Sequence, residues 1–230
     1  TWLIRPEIEK QKNKYQYFMF LEHDIRFTEK NFQYYLKYQK SLSYKKFNLG
    51  FLIYENSNED NQKYSIHLTK KLGNFININS QNFFINDLEN YCCSWIYDQK
   101  QFNDFLGTKW WSFQKRAHNF RHNYGIVERS SIGYNALNME YFRATLIPEI
   151  DKKPDPGCLL EHMTNNYYNK FSEFKGQNFT DIRGVCKFKV DEIFEVNNNN
   201  KKTVLSLYFQ RITRIIGWRL RFLTRLFKKK

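Results

Sequence analysis

The amino-acid sequence predicts an α/β domain followed by a basic amphipathic helix. Three observations carry that expectation. Short apolar runs alternate with helix-start signals along residues 1–200, the pattern of layered strands and helices. Aromatic residues make up 19% of the 230 residues, with 22 Phe and 16 Tyr, enough to fill a core without disulfide staples. Residues 201–230 hold ten of the 37 Lys and Arg and none of the 23 Asp and Glu.

The elements follow in chain order. Tyr15 to Leu21 (YQYFMFL) is a nearly unbroken apolar run, as expected of a strand buried on both faces of a parallel sheet. It ends in Glu22-His23-Asp24. Thr28 then caps a helix to about Lys40, with Phe32, Tyr35 and Leu36 on its inner side. Leu49 to Tyr54 (LGFLIY) reads as the next strand, and the polar stretch Asn56 to Gln62 as a surface loop. Tyr64 to Leu68, Phe75 to Ile78, Phe83 to Ile85 and Tyr91 to Tyr97 are further strands. Asp98 with Gln101 opens a helix to Leu106. Helices are expected over Lys109 to Asn119 and Glu128 to Leu137. Two Pro and a Gly make Asp151 to Gly157 a loop, and Cys158 to His162 an extended segment. The expected division is a domain over residues 1–196, a polar linker over 197–202 and a helix over 203–230.

Charge narrows the partners. The formal net charge is +14, but residues 1–200 carry only 27 basic against 23 acidic residues. The excess sits in the tail, so the composition does not make the whole chain a nucleic-acid binder. On a helical wheel Leu205, Phe209, Ile212, Ile216, Leu220, Leu223 and Phe227 share one face, with Arg211, Arg214, Arg221 and Arg225 opposite. That pattern suits attachment to an anionic membrane surface. It also suits a terminal helix docked on the domain. A non-enzymatic module that binds nucleic acid or membrane through this tail is the alternative function. No apolar run approaches 20 residues, so no membrane span is expected, and no signal peptide opens the sequence. The first residue, Thr1, reads as a processing or fragment boundary. Cys92, Cys93, Cys158 and Cys186 lack metal-finger spacing, and reduced thiols in the cytoplasm are expected.

The chemistry centres on Glu22 and Asp24. Two carboxylates at i and i+2 just past a strand can face one site, and ligands of α/β sheets bind beyond the carboxyl ends of strands. Oxygen ligands of this kind suit Mg²⁺ or Mn²⁺. Solvated carboxylates in a loop give the same sequence. Other motifs fail: His118 and His122 lack the Glu of a zinc protease, and no phosphate-binding glycine loop or serine elbow occurs.

The stretch YFMFLEHDIRFTEKNFQYYLKY resembles the acidic "DxD" region of GT-A glycosyltransferases, in the variant written Glu-Asp-Asp after an apolar strand. GFLIYE (Gly50 to Glu55) resembles the following strand of that domain, GIVERSSIG (Gly125 to Gly133) its acceptor-side segment, and LLEHMTNNYY (Leu159 to Tyr168) its late histidine segment. The resemblance covers about residues 15–170. It implies an α/β/α layered GT-A domain, metal-dependent sugar transfer, a nucleotide-sugar donor and a glycan or lipid-linked acceptor. It implies that Asp24 touches the metal, that Glu22 meets the donor ribose or the metal through water, and that His162 completes the metal site with Mn²⁺ or Mg²⁺; a hydrogen-bonded structural histidine is the other reading of His162. Glu128, at an expected helix start, matches the base that takes the acceptor proton in an inverting transfer; stabilising the helix start is its other reading. Asp151 and Asp155 are weaker alternatives. Trp110 and Trp111 offer an apolar face to a sugar, or pack in the core; Asn165, Asn166 and Tyr167 offer hydrogen bonds to sugar hydroxyls, or cap a turn. With the tail, this places the enzyme in the cytoplasm, peripheral on the inner membrane face. The chain departs from the family in two ways. His23 replaces the middle acid, and only about twenty residues precede Glu22, fewer than a nucleotide-binding βαβ unit of about 30. Either Thr1 is a truncation point, or the chain is a degenerate or incomplete relative that lacks most of the nucleotide-binding half.

Overall fold

The computed structural model describes residues 2–44, 47–66, 68, 70–87, 93–108, 111, 144–165, 167–170, 188–195, 201–210, 212, 213 and 216. The expected helix over Glu128 to Leu137 lies outside them, as does most of that over Lys109 to Asn119.

Helix α1 (Arg5–Lys10) precedes strand β1 (Tyr17–Leu21). β1 pairs antiparallel with β8 (Ser94–Asp98), Tyr17 opposite Asp98 and Leu21 opposite Ser94. The run Tyr15 to Leu21 therefore makes a strand, but not one buried on both faces of a parallel sheet. Alternation sends Phe18 inward and leaves Tyr17 and Met19 exposed. The inward side builds an aromatic cluster of Phe18, Trp95, Tyr97, Phe102, Phe105 and Trp111. Phe102 and Phe105 come from α3 (Gln99–Leu106), whose first turn is capped by Asp98 accepting from Gln101 N–H at 2.7 Å. Arg5 of α1 is buried over Trp111 (4.9 Å to the ring centre) and donates to the Trp111 carbonyl at 2.7 Å. Burial pulls its guanidinium down to about 10.

Helix α2 (Glu29–Ser43) starts at Thr28, whose N–H donates to the Asn31 side chain at 2.7 Å. Its inner face is Asn31, Tyr34, Tyr35, Tyr38, Gln39 and Leu42. The face expected from Phe32, Tyr35 and Leu36 is thus rotated, and Leu36 is exposed. Tyrosines at i, i+1 and i+4 can bury their rings while their hydroxyls find acceptors: Tyr34 reaches the Gly50 carbonyl and Tyr38 reaches Asp155.

The expected strand Leu49 to Tyr54 is two strands, β3 (Asn48–Leu49) and β4 (Leu52–Asn56), serving different sheets. Gly50 makes the crossing. A Cβ there would lie 2.8 Å from both Ile147 and Thr145, so only glycine lets the backbone pass. One sheet runs β10 (Lys153–Pro154), β9 (Thr145–Ile150), β7 (Gln81–Asn86), β6 (Phe75–Ile78), β13 (Lys201–Lys202), with β3 parallel to β9. The other runs β12 (Phe188–Lys189), β5 (Lys63–Ser65), β4, β11 (Leu159–His162), β2 (Ile25–Arg26). In it β4 and β11 are parallel and the remaining pairs antiparallel. The main core, with Phe47, Phe83, Phe84, Leu146 and Leu160, is continuous between these sheets and α2. The result is a mixed α/β fold with several sheets.

The C-terminal part differs from expectation at its start. Lys201–Lys202, read as the end of a linker, pair parallel with Phe75 and Ile76 at the edge of β6. Thr203 and Ser206 then cap each other reciprocally at 3.1 Å, and residues 204–210 are helical. No described helix is long and apolar enough to cross a membrane.

Candidate functional site

The register of three strands assembles the site. β4 and β11 run parallel with Ile53 beside Leu160 and Tyr54 beside Glu161. One residue further on, at the carboxyl end of both strands, Glu55 meets His162. β2 pairs antiparallel to β11 with Ile25 opposite His162, so the residue before it, Asp24, arrives at the same end. The Asp24 carbonyl accepts from Met163 N–H at 2.8 Å and pins the turn there. Residues 24, 55 and 162, far apart in sequence, thus converge at the carboxyl ends of the parallel pair β4 and β11.

His162 sits between two carboxylates. Its Nδ1 lies 2.5 Å from Glu55 Oε1 and its Nε2 lies 3.3 Å from Asp24 Oδ2. Glu55 is fully buried, and also accepts from the backbone N–H groups of Tyr167 (3.1 Å) and Tyr168 (2.6 Å), which open the short helix α4 (Tyr167–Lys170). A carboxylate accepting at Nδ1 keeps the proton there, so in the neutral imidazole the Nε2 lone pair is left beside the Thr164 hydroxyl at 3.1 Å and Asp24 at 3.3 Å. Burial is the largest single influence on His162 and opposes the imidazolium. The hydrogen bonds and charges of Glu55 and then Asp24 outweigh it and hold His162 above its ordinary value.

Asp24 is the partly exposed member, so the pair opens to solvent on its side. Glu22 is half-buried, and its backbone N–H donates to the Cys93 carbonyl at 3.0 Å. Cys93 adopts a left-handed φ of 54°, rare for a residue with a Cβ, and so turns that carbonyl toward Glu22. The Tyr167 ring is 5.1 Å from the His162 ring, and burial, then Cys93 and the charges of Asp24, Glu55 and Glu22, raise its phenol. His23 points to solvent and is not part of the cluster.

Asp24 Oδ2 and Nε2 of the neutral His162 are one oxygen and one nitrogen donor able to share a divalent ion. Two ligands each about 2.1 Å from an octahedral ion stand about 3 Å apart, close to the Asp24–His162 separation of 3.3 Å. Among the described residues no set of three or more His, Cys, Asp or Glu converges to hold a metal. Mg²⁺ commonly takes only one or two protein ligands, with water and substrate phosphate filling the rest. The Glu55–His162 pair has the form of a carboxylate that orients a ligating histidine.

Other expected site residues fall elsewhere. Glu128, Trp110 and Asn166 lie outside the described residues. Trp111 is packed in the aromatic cluster with its indole N–H on Glu9 at 2.8 Å, so it offers no face to a sugar. Asp155 is buried and bonded to Tyr38 and Gly157 N–H, which makes it a structural cap. Asn165, at a φ of 48°, closes the turn after His162. Glu55 was not singled out by the sequence as a site residue. A lone acid ending an otherwise apolar strand, LGFLIYE, is the signal that points to it.

No family model matches the chain, and neither the curated proteins nor the solved structures contain a match to it.

Proposed function

We propose that the protein is a metal-dependent glycosyltransferase of the GT-A type. It moves a sugar from a nucleotide-sugar donor to a hydroxyl of a glycan or lipid-linked acceptor. The observation that carries this reading is the pair Asp24 and His162, 3.3 Å apart, with His162 and Glu55 at the carboxyl ends of the parallel pair β11 and β4 and Asp24 just before the antiparallel strand β2. The resemblance of the sequence around Asp24 and His162 to the family's metal-binding segments supports it.

In this reading Asp24 and His162 hold Mn²⁺ or Mg²⁺, and Glu22 binds the donor ribose. The ion, when bound, supplies positive charge against the diphosphate that leaves the sugar. Glu55 keeps Nδ1 protonated and so keeps Nε2 available. In an inverting transfer the acceptor oxygen attacks the anomeric carbon, the bond from that carbon to the diphosphate oxygen breaks, and Glu128 takes the hydroxyl proton. The enzyme works in the cytoplasm, peripheral on the inner face of a membrane.

The test is release of nucleoside diphosphate from a panel of nucleotide sugars in Mn²⁺. Asp24→Asn should reduce turnover to background while circular dichroism shows an unchanged fold. Full activity in that variant removes the reading.

A further inference from the structure

Among the described residues the C-terminal helix presents two apolar sides, one covered and one exposed. Leu207 is 7% exposed and belongs to the main core, with Val204 and Tyr208 packed against it. Leu205, Phe209, Ile212 and Ile216 are 64%, 59%, 50% and 52% exposed. At 3.6 residues per turn these four fall within about 60° of one another, and Leu207 points to nearly the opposite side. A docked terminal helix was expected to bury the Leu205–Phe209–Ile212–Ile216 stripe. The described part of the helix does the reverse: it rests on the domain through Leu207 and turns the stripe outward. The strand Lys201–Lys202 and the Thr203–Ser206 cap fix where the helix begins.

We infer that this outward stripe, together with the basic residues of 201–230, docks the protein on the surface of an anionic lipid bilayer. The occupant is chosen by charge. Ten Lys and Arg without one acid complement anionic headgroups, while Leu, Phe and Ile enter the acyl boundary. Each basic residue held near an anionic surface strengthens binding about fivefold. A second copy meeting this face about a two-fold axis would bring two such acid-free segments together, which like-charge repulsion opposes. Nucleic acid would use the charges but has no place for the stripe. Because Leu207 ties the helix to the main core, the whole domain is carried to the bilayer and not merely a tail. The inference does not depend on glycosyl transfer, since none of these residues lies in the Asp24–His162 cluster.

The experiment is flotation of the full chain with neutral phosphatidylcholine vesicles and with vesicles containing about 30% phosphatidylglycerol. Wild type should float with the anionic vesicles and not with the neutral ones. The double variant Phe209→Ser with Ile212→Ser alters exposed side chains, so its melting temperature should match wild type. It should bind the anionic vesicles at least about tenfold more weakly. Wild type that does not float, or a double variant that floats equally well, overturns the inference. So does a dimer in light scattering that the double variant dissociates. Failure here leaves nucleotide release and its dependence on Asp24 untouched, so the two readings can fall separately.

Discussion

Glu55 is the residue on which the geometry of the site depends most, and its replacement gives a graded result. Its carboxylate serves three donors, His162 Nδ1–H, Tyr167 N–H and Tyr168 N–H, at 2.5, 3.1 and 2.6 Å. Glu55→Ala withdraws the acceptor from all three in a buried site. Each buried donor so deprived costs about 1–3 kcal/mol, and the effects overlap, so a loss of about 3–5 kcal/mol is expected. Glu55→Gln keeps one carbonyl oxygen but turns an amide NH₂ toward a backbone N–H, for a loss of about 1–3 kcal/mol. The pH dependence follows from the raised His162. A group whose folded value lies above its unfolded value of 6.5 stabilises the protein fully below that value. The contribution is lost as pH rises through the folded value. Wild type without metal should therefore be more stable, through this residue, at a pH below 6.5 than at a pH above the folded value. In Glu55→Gln burial, which opposes the imidazolium, meets less resistance, so the trend should shrink or reverse. Urea unfolding at the two pH values measures both effects. Wild-type stability together with a wild-type pH trend in Glu55→Gln would refute the reasoning.

Two further outcomes follow from packing. Gly50→Ala places a Cβ 2.8 Å from Ile147 and Thr145 where β3 hands over to β4, and should lose about 1–3 kcal/mol in chemical denaturation. Phe102→Ala empties a fully buried position whose ring centre stacks 4.0 Å from that of Phe18, and should lose about 3–5 kcal/mol by the same measurement.

Most elements could be read from the sequence because their signals are local. Asp98 with Gln101 announced α3, and Phe75 to Ile78 is β6 without adjustment. Pairing is not local, and there the expectations failed. Nothing within YQYFMFL states that its partner is Ser94–Asp98 running antiparallel, because an apolar run fits either sheet type. Leu49 to Tyr54 hid its division because Gly50 acts through contacts with Thr145 and Ile147, nearly a hundred residues away. The face of α2 was misjudged for a related reason: Tyr34 and Tyr38 count as half-polar in a pattern, yet their hydroxyls are satisfied inside by Gly50 and Asp155. In the site, the meeting of Asp24 with His162 follows only from the order β4, β11, β2. The resemblance named both residues, but composition and spacing alone did not join them. Glu55 stayed hidden because a buried acid is informative only once its three donors are known.

The most direct test of the central claim is thermal unfolding of wild type and Asp24→Asn with Mn²⁺ and uridine, guanosine or cytidine diphosphate, singly and together. The account predicts that one nucleotide with Mn²⁺, and neither alone, raises the wild-type midpoint by about 5–10 °C at a hundred times its dissociation constant. It predicts that the shift disappears in Asp24→Asn, whose midpoint without ligand stays near that of wild type. A shift of equal size in Asp24→Asn, or no shift with any nucleotide and metal in wild type, would contradict a metal-nucleotide site at Asp24 and His162.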